Sequence, residues 1–141
     1  MKYLIRHYAV ASLLAVLAPL AGCASVQPAV RTHEVSPMSV DNAIRSATLA
    51  ARDTNWIVKT TDKDTGHILA EREIRVLGRP ERGGSYKLEV DVRNANSGNM
   101  TVKVTPTSEV MGGRSPDEMI AEFLRAFDKF ISYKFLKRFF K

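Results

Sequence analysis

One cysteine and three histidines among 141 residues set the first limits on this chain. A lone thiol closes no internal disulfide, so a fold of this size has to rest on its apolar core. His7, His33 and His67 lie far apart in sequence and no Cys/His spacing of a metal site occurs, so neither a metal nor a cofactor is expected. Internal repeats and low-complexity runs are absent, and no apolar run reaches the roughly 20 residues a bilayer span needs. The length leaves room for one domain.

What is present starts at the N-terminus. Lys2 and Arg6 precede the uncharged run "YAVASLLAVLAPLAG" at residues 8 to 22, the layout of a secretory signal peptide. A core helix is the alternative, but position, flanks and the lack of polar alternation disfavour it. Leu20, Ala21, Gly22 and Cys23 then resemble the lipobox of bacterial lipoproteins. The resemblance implies cleavage before Cys23, a diacylglycerol on its sulfur and a membrane anchor of two or three acyl chains, each methylene contributing about 0.8 kcal/mol. A free thiol or an intermolecular disulfide is the rival reading. Ala24, in place of aspartate, implies the outer membrane facing the periplasm in a Gram-negative host. Removal of residues 1 to 22 leaves 19 basic and 15 acidic side chains. For an exported protein that surplus points to anionic lipid or glycan and not to nucleic acid.

Residues 23 to 38, with two prolines and no sustained period, read as a lipid-anchored tether. The fifteen residues after Cys23 would reach about 50 Å fully extended and about 20 Å as a coil. The domain is expected over 39 to 133. Ser39 is a helix N-cap, and Val40, Ala43, Ile44, Ala47, Ala50 and Ala51 form one face dominated by small residues, suited to close approach to a sheet.

Four strands follow. "WIVKTT" places Trp56, Val58 and Thr60 on one side, and "DKDTG" is a turn in which Gly66 takes positive φ. "HILAEREIRV" aligns Ile68, Ala70, Ile74 and Val76, with Arg72 as the odd member. "YKLEVDVR" sets Tyr86, Leu88, Val90 and Val92 against Lys87, Glu89, Asp91 and Arg93, and "MTVKV" repeats the alternation. A second helix opens at Ser115 with Pro116 in its first turn and Glu118 at the capping-box position. Met119, Ile120, Phe123, Leu124, Phe127, Phe130 and Ile131 form its apolar stripe. The expected fold is α+β: a four-stranded antiparallel meander with the N- and C-terminal helices packed on one face and the other face wet.

A helix, a tryptophan opening a strand, the hairpin "WIVKTTDKDTGHILAE", two further amphipathic strands and a closing helix, all behind a lipobox, resemble small bacterial lipoproteins of α-β4-α build. The tryptophan strand, Asp/Gly turn and "I-x-A" strand are similar to the helix-grip domains of the BamC lipoprotein of the outer-membrane β-barrel assembly machine. The likeness spans roughly residues 39 to 132 and is architectural. It carries no site residues, and one domain stands here where BamC has two.

For catalysis the inventory is thin. Glu71, Glu73, Glu89 and Asp91 mix with basic residues as solvated strand faces do, whereas paired catalytic carboxylates need one in a cleft with a shifted pKa. "MGGRSPDE" at residues 111 to 118 mimics an anion site at a helix start, but Asp117 and Glu118 already complement the dipole and repel phosphate. Trp56 and the phenylalanines of the second helix read as core.

The end is less ordinary. If the helix continues through "ISYKFLKRFFK", Lys134 and Arg138 fall in phase with Ile120, Phe127 and Ile131, while Leu136, Phe139 and Phe140 move to the opposite side. Either the helix stops near Tyr133, leaving a frayed or locally packed end, or residues 134 to 141 form a basic aromatic tail. In that tail Lys134, Leu136, Lys137, Arg138, Phe139, Phe140 and Lys141 would contact membrane or partner. The expectation is therefore a non-enzymatic envelope lipoprotein that binds or scaffolds other envelope components. The alternative is an anionic lipid- or glycan-binding module using the tail, and a hydrolase using the surface carboxylates ranks last.

Overall fold

The computed structural model of the protein describes residues 27–107 and 114–139. Its elements are β1 (Ala29–Glu34), α1 (Val40–Asp53), β2 (Ile57–Asp62), β3 (His67–Val76), β4 (Arg79–Asp91), a 3-10 turn (Ala95–Ser97), β5 (Asn99–Pro106) and α2 (Pro116–Phe139). The class is α+β with an antiparallel sheet, as expected, but the sheet has five strands in the order β1-β5-β4-β3-β2. The expected four-stranded meander is β2 to β5. The additional strand comes from the segment read as tether, where β1 pairs with β5 from Ala29↔Val104 to Glu34↔Asn99.

The reason β1 escapes a hydrophobic pattern is electrostatic. Arg31 and His33 lie opposite the buried Val102 and Met100 and so face the core side of the sheet, where apolar residues would be expected. At this edge they meet α2 instead. The Arg31 guanidinium donates through Nε and Nη2 to Asp117 Oδ1 at 3.1 and 2.9 Å. His33 Nε2 lies 2.9 Å from Asp128 Oδ1, and its ring meets the Phe127 ring edge-on with centroids 6.5 Å apart. An edge strand can thus exchange apolar burial for charge-assisted bonds to an acidic helix flank.

The local signals hold. Ser39 Oγ accepts from Asn42 N at α1. At α2, Glu118 N donates to Ser115 Oγ at 3.2 Å and Ser115 N donates to Glu118 Oε2 at 3.3 Å, a complete capping box. The α1 terminus closes on Asn55 at φ 61°, with Trp56 N donating to Ala51 O at 2.8 Å. Gly66 sits at φ 66° in the β2–β3 turn, and the Asp62 carboxylate accepts from the Asp64 and Thr65 amides.

One expected alignment fails. A bulge at Lys59 shifts the β2–β3 register, so Val58 faces Ala70 while Thr60 faces Leu69 on the opposite side of the sheet.

The core is a single cluster. Ala43, Ile44, Ala47, Ala50 and Ala51 of α1 and Met119, Ile120, Phe123, Ala126 and Phe127 of α2 join Ile68, Ala70, Tyr86, Leu88, Val90, Val102 and Val104 of the sheet. The alanine face of α1 does what small side chains allow, letting the backbone approach closely while excluding water. Leu124, Phe130 and Ile131 pack at its margin.

Candidate functional surfaces

The outward sheet face is a lattice of compensated charge. Lys59 Nζ reaches Glu71 at 3.3 Å, Glu89 receives Lys87 at 3.2 Å and Lys103 at 3.6 Å, and Glu73 receives Arg75 at 2.9 Å. Asp91 is bound by Arg93, whose backbone N also donates to it at 3.0 Å. At Glu73, Glu89 and Asp91 of this face, and at Asp62 of the neighbouring turn, the carboxyl pKa is lowered. Hydrogen bonds from Arg75 and Arg93 lower Glu73 and Asp91, and the Thr65 amide and hydroxyl lower Asp62. At Glu89 burial acts upward, but the Lys87 hydrogen bond and the charges of Lys87, Lys103 and His67 outweigh it. A general acid needs the opposite shift, so this arrangement favours ionised, structural carboxylates over proton donors.

A pH dependence follows. All four groups are more acidic in the fold than in the unfolded chain, so the stability they supply is present above the ordinary carboxylate range. It is lost as pH falls through their lowered folded values. The urea midpoint is expected to hold between pH 7 and about 5 and to drop below about pH 4. A midpoint that stayed flat to about pH 3 would show that these pairs contribute nothing.

At the other side of the sheet, the odd residue of β3 finds its explanation. Arg72 turns toward the helices with its guanidinium over the Trp56 ring, 6.0 Å from the centroid, and donates to Glu122 of α2 at 3.1 Å. Glu122 also accepts from Arg114 at 2.7 Å, and the Tyr86 hydroxyl donates to the Arg114 carbonyl at 2.9 Å. Burial raises the Tyr86 pKa. Trp56 Nε1 is buried without a hydrogen-bond partner, so the indole acts here through its ring face. Sequence reading marked Arg72 as an exception without finding its partner, because Glu122 lies 50 residues away.

Replacing Glu122 by Leu strands two guanidiniums, one of them largely buried, and is expected to destabilise the fold by about 1–3 kcal/mol in urea melts. Adding Arg72→Met should recover much of that loss. Full additivity of the two changes would mean that the pair is not coupled.

Cys23, Phe140 and Lys141 lie outside the described residues. Lys134, Leu136, Lys137, Arg138 and Phe139 belong to the last turns of α2, so the helix does not stop near Tyr133. The direction of α2 follows from its contacts with β1. Arg31 meets Asp117 and His33 meets Asp128, so α2 passes the β1 edge from the Arg31 side toward the His33 side. Among the described residues, no group of three or more His, Asp or Glu side chains could hold a metal ion, and no helix is long and apolar enough to cross a membrane.

Fold and surfaces together define a small α+β domain whose charged side chains are engaged mainly with one another. No family model matches the chain, and no curated protein matches it either.

Proposed function

We propose that this protein is a lipid-anchored, non-enzymatic module of the bacterial envelope that presents one α+β domain to other envelope components. The observation that carries the reading is the order of signal-like segment, lipobox-like "LAGC" and, six residues after Cys23, the first strand of a folded sheet. In this reading α1 and α2 cover one face of the sheet, the salt-bridged face stays in water, and no cleft is needed. The architectural likeness to BamC-type helix-grip domains belongs to the same proposal, as does an outer-membrane location facing the periplasm.

The test is metabolic labelling with fatty acid. The wild-type chain should carry label and fractionate with membranes, and Cys23→Ser should do neither. A labelled, membrane-bound Cys23→Ser chain would sink the reading.

The second reading, binding of an anionic lipid or glycan by the tail, is favoured by the helical course of α2 through Phe139.

A further inference from the structure

The register of the sheet sets what else meets the bilayer if Cys23 carries the anchor, and the following inference rests on that reading. Ala29 pairs with Val104, Val104 with Leu88 and Leu88 with Ala70, so these four residues lie in one row across the sheet. Beyond that row, on the side of Gln27, β3 and β4 run on as a two-stranded ribbon, with a register shift between Arg75 and Val76, to the turn at Leu77 and Gly78. Among the described residues no third strand pairs with 73–84. The base of the ribbon is braced, since Arg72 is tied to Glu122 and its cross-strand partner Tyr86 to the Arg114 carbonyl.

Two lengths then coincide. Six residue steps from Ala29 back to Cys23 span at most about 20 Å. Seven steps from Ala70 to Leu77 carry the ribbon about 23 Å past the same row. With the strands upright, an anchored Cys23 cannot lift the ribbon tip clear of the membrane surface. The chemistry of the tip fits that position. Leu77 is fully exposed, Gly78 turns at φ 76° with open space where a Cβ would stand, and the sequence "EIRVLGRPER" at residues 73 to 82 holds three arginines and two glutamates. Glu73 is already engaged by Arg75. An exposed leucine in an arginine-rich segment suits the boundary between acyl chains and anionic headgroups.

We propose that the Leu77–Gly78 tip of the β3–β4 ribbon is a second membrane contact, inserting beside the lipid anchor and holding the domain upright.

The test uses the full lipidated chain, in which Cys23 is consumed by lipid and an introduced cysteine is the sole free thiol. Leu77→Cys, and Asn96→Cys at the opposite end of the sheet, each receive a nitroxide label. Both chains are reconstituted in phosphatidylcholine vesicles with and without phosphatidylglycerol. Leu77 is fully exposed, so its replacement leaves the core untouched.

The expected result is that both chains float with the vesicles, while the label at 77 is severalfold more accessible to oxygen and less accessible to a water-soluble nickel chelate than the label at 96. The difference should grow with phosphatidylglycerol. Chains that float with equally water-exposed labels overturn the ribbon contact and leave the anchor standing. Chains that do not float overturn both.

Discussion

A chain shortened to begin at Ser39, where a hydrophobic-pattern reading starts the domain, is expected to lose about 3–5 kcal/mol relative to one beginning at Gln27. The truncation removes β1 and with it the six residue pairings along β5. It also removes the Arg31–Asp117 and His33–Asp128 contacts and the margin packing of Ala29, Val35 and Met38. Each cross-strand pair contributes roughly 0.2–1 kcal/mol, and each charge-assisted hydrogen bond somewhat more than a neutral one. Against a typical total of about 5–15 kcal/mol, that loss leaves a marginal domain with a newly bared edge on β5. Urea unfolding of the two chains checks it. Equal midpoints would mean that the strand is an appendage and the segment behaves as a tether after all.

The second large effect is expected at Phe127. Its side chain is fully buried, stacked 6.3 Å from Phe123 and in edge contact with His33. Replacement by alanine removes the transfer free energy of the ring and leaves a cavity under β1, a cost of about 3–5 kcal/mol. Leucine, which keeps most of the volume, should cost about 1–2 kcal/mol.

The alanine variant carries a local signature as well. With the ring gone, His33 loses its apolar support beside Asp128, and amide exchange in β1 should accelerate more than in β4. Uniform acceleration across the sheet would show instead that Phe127 supports the core as a whole and not the β1 edge in particular.

Legibility tracked the range of the interaction. The capping box at Ser115, the positive φ of Gly66 and the alanine face of α1 are decided within four or five residues, and each is found as read. The alternation of "YKLEVDVR" placed Tyr86, Leu88 and Val90 in the core because a strand flanked by strands on both sides must sort its faces by polarity. Thr60 was misplaced because a bulge inserts one residue and reverses every later side chain, with no composition signal at Lys59. β1 was missed because its core-side residues are Arg31 and His33, which become compatible with that face only once Asp117 and Asp128 stand beside it.

By itself, then, the sequence determined the α+β class, both helices with their caps, four strands and the greater part of the core, all consequences of local stereochemistry and of apolar periodicity. The tertiary structure alone decided the fifth strand, the partner of Arg72 and the contacts that tie Arg31 and His33 to α2. Those depend on which residues 50 to 95 positions apart come to lie side by side. No local period encodes such encounters, because charge pairs and sheet register gain their free energy only after the chain has closed around them.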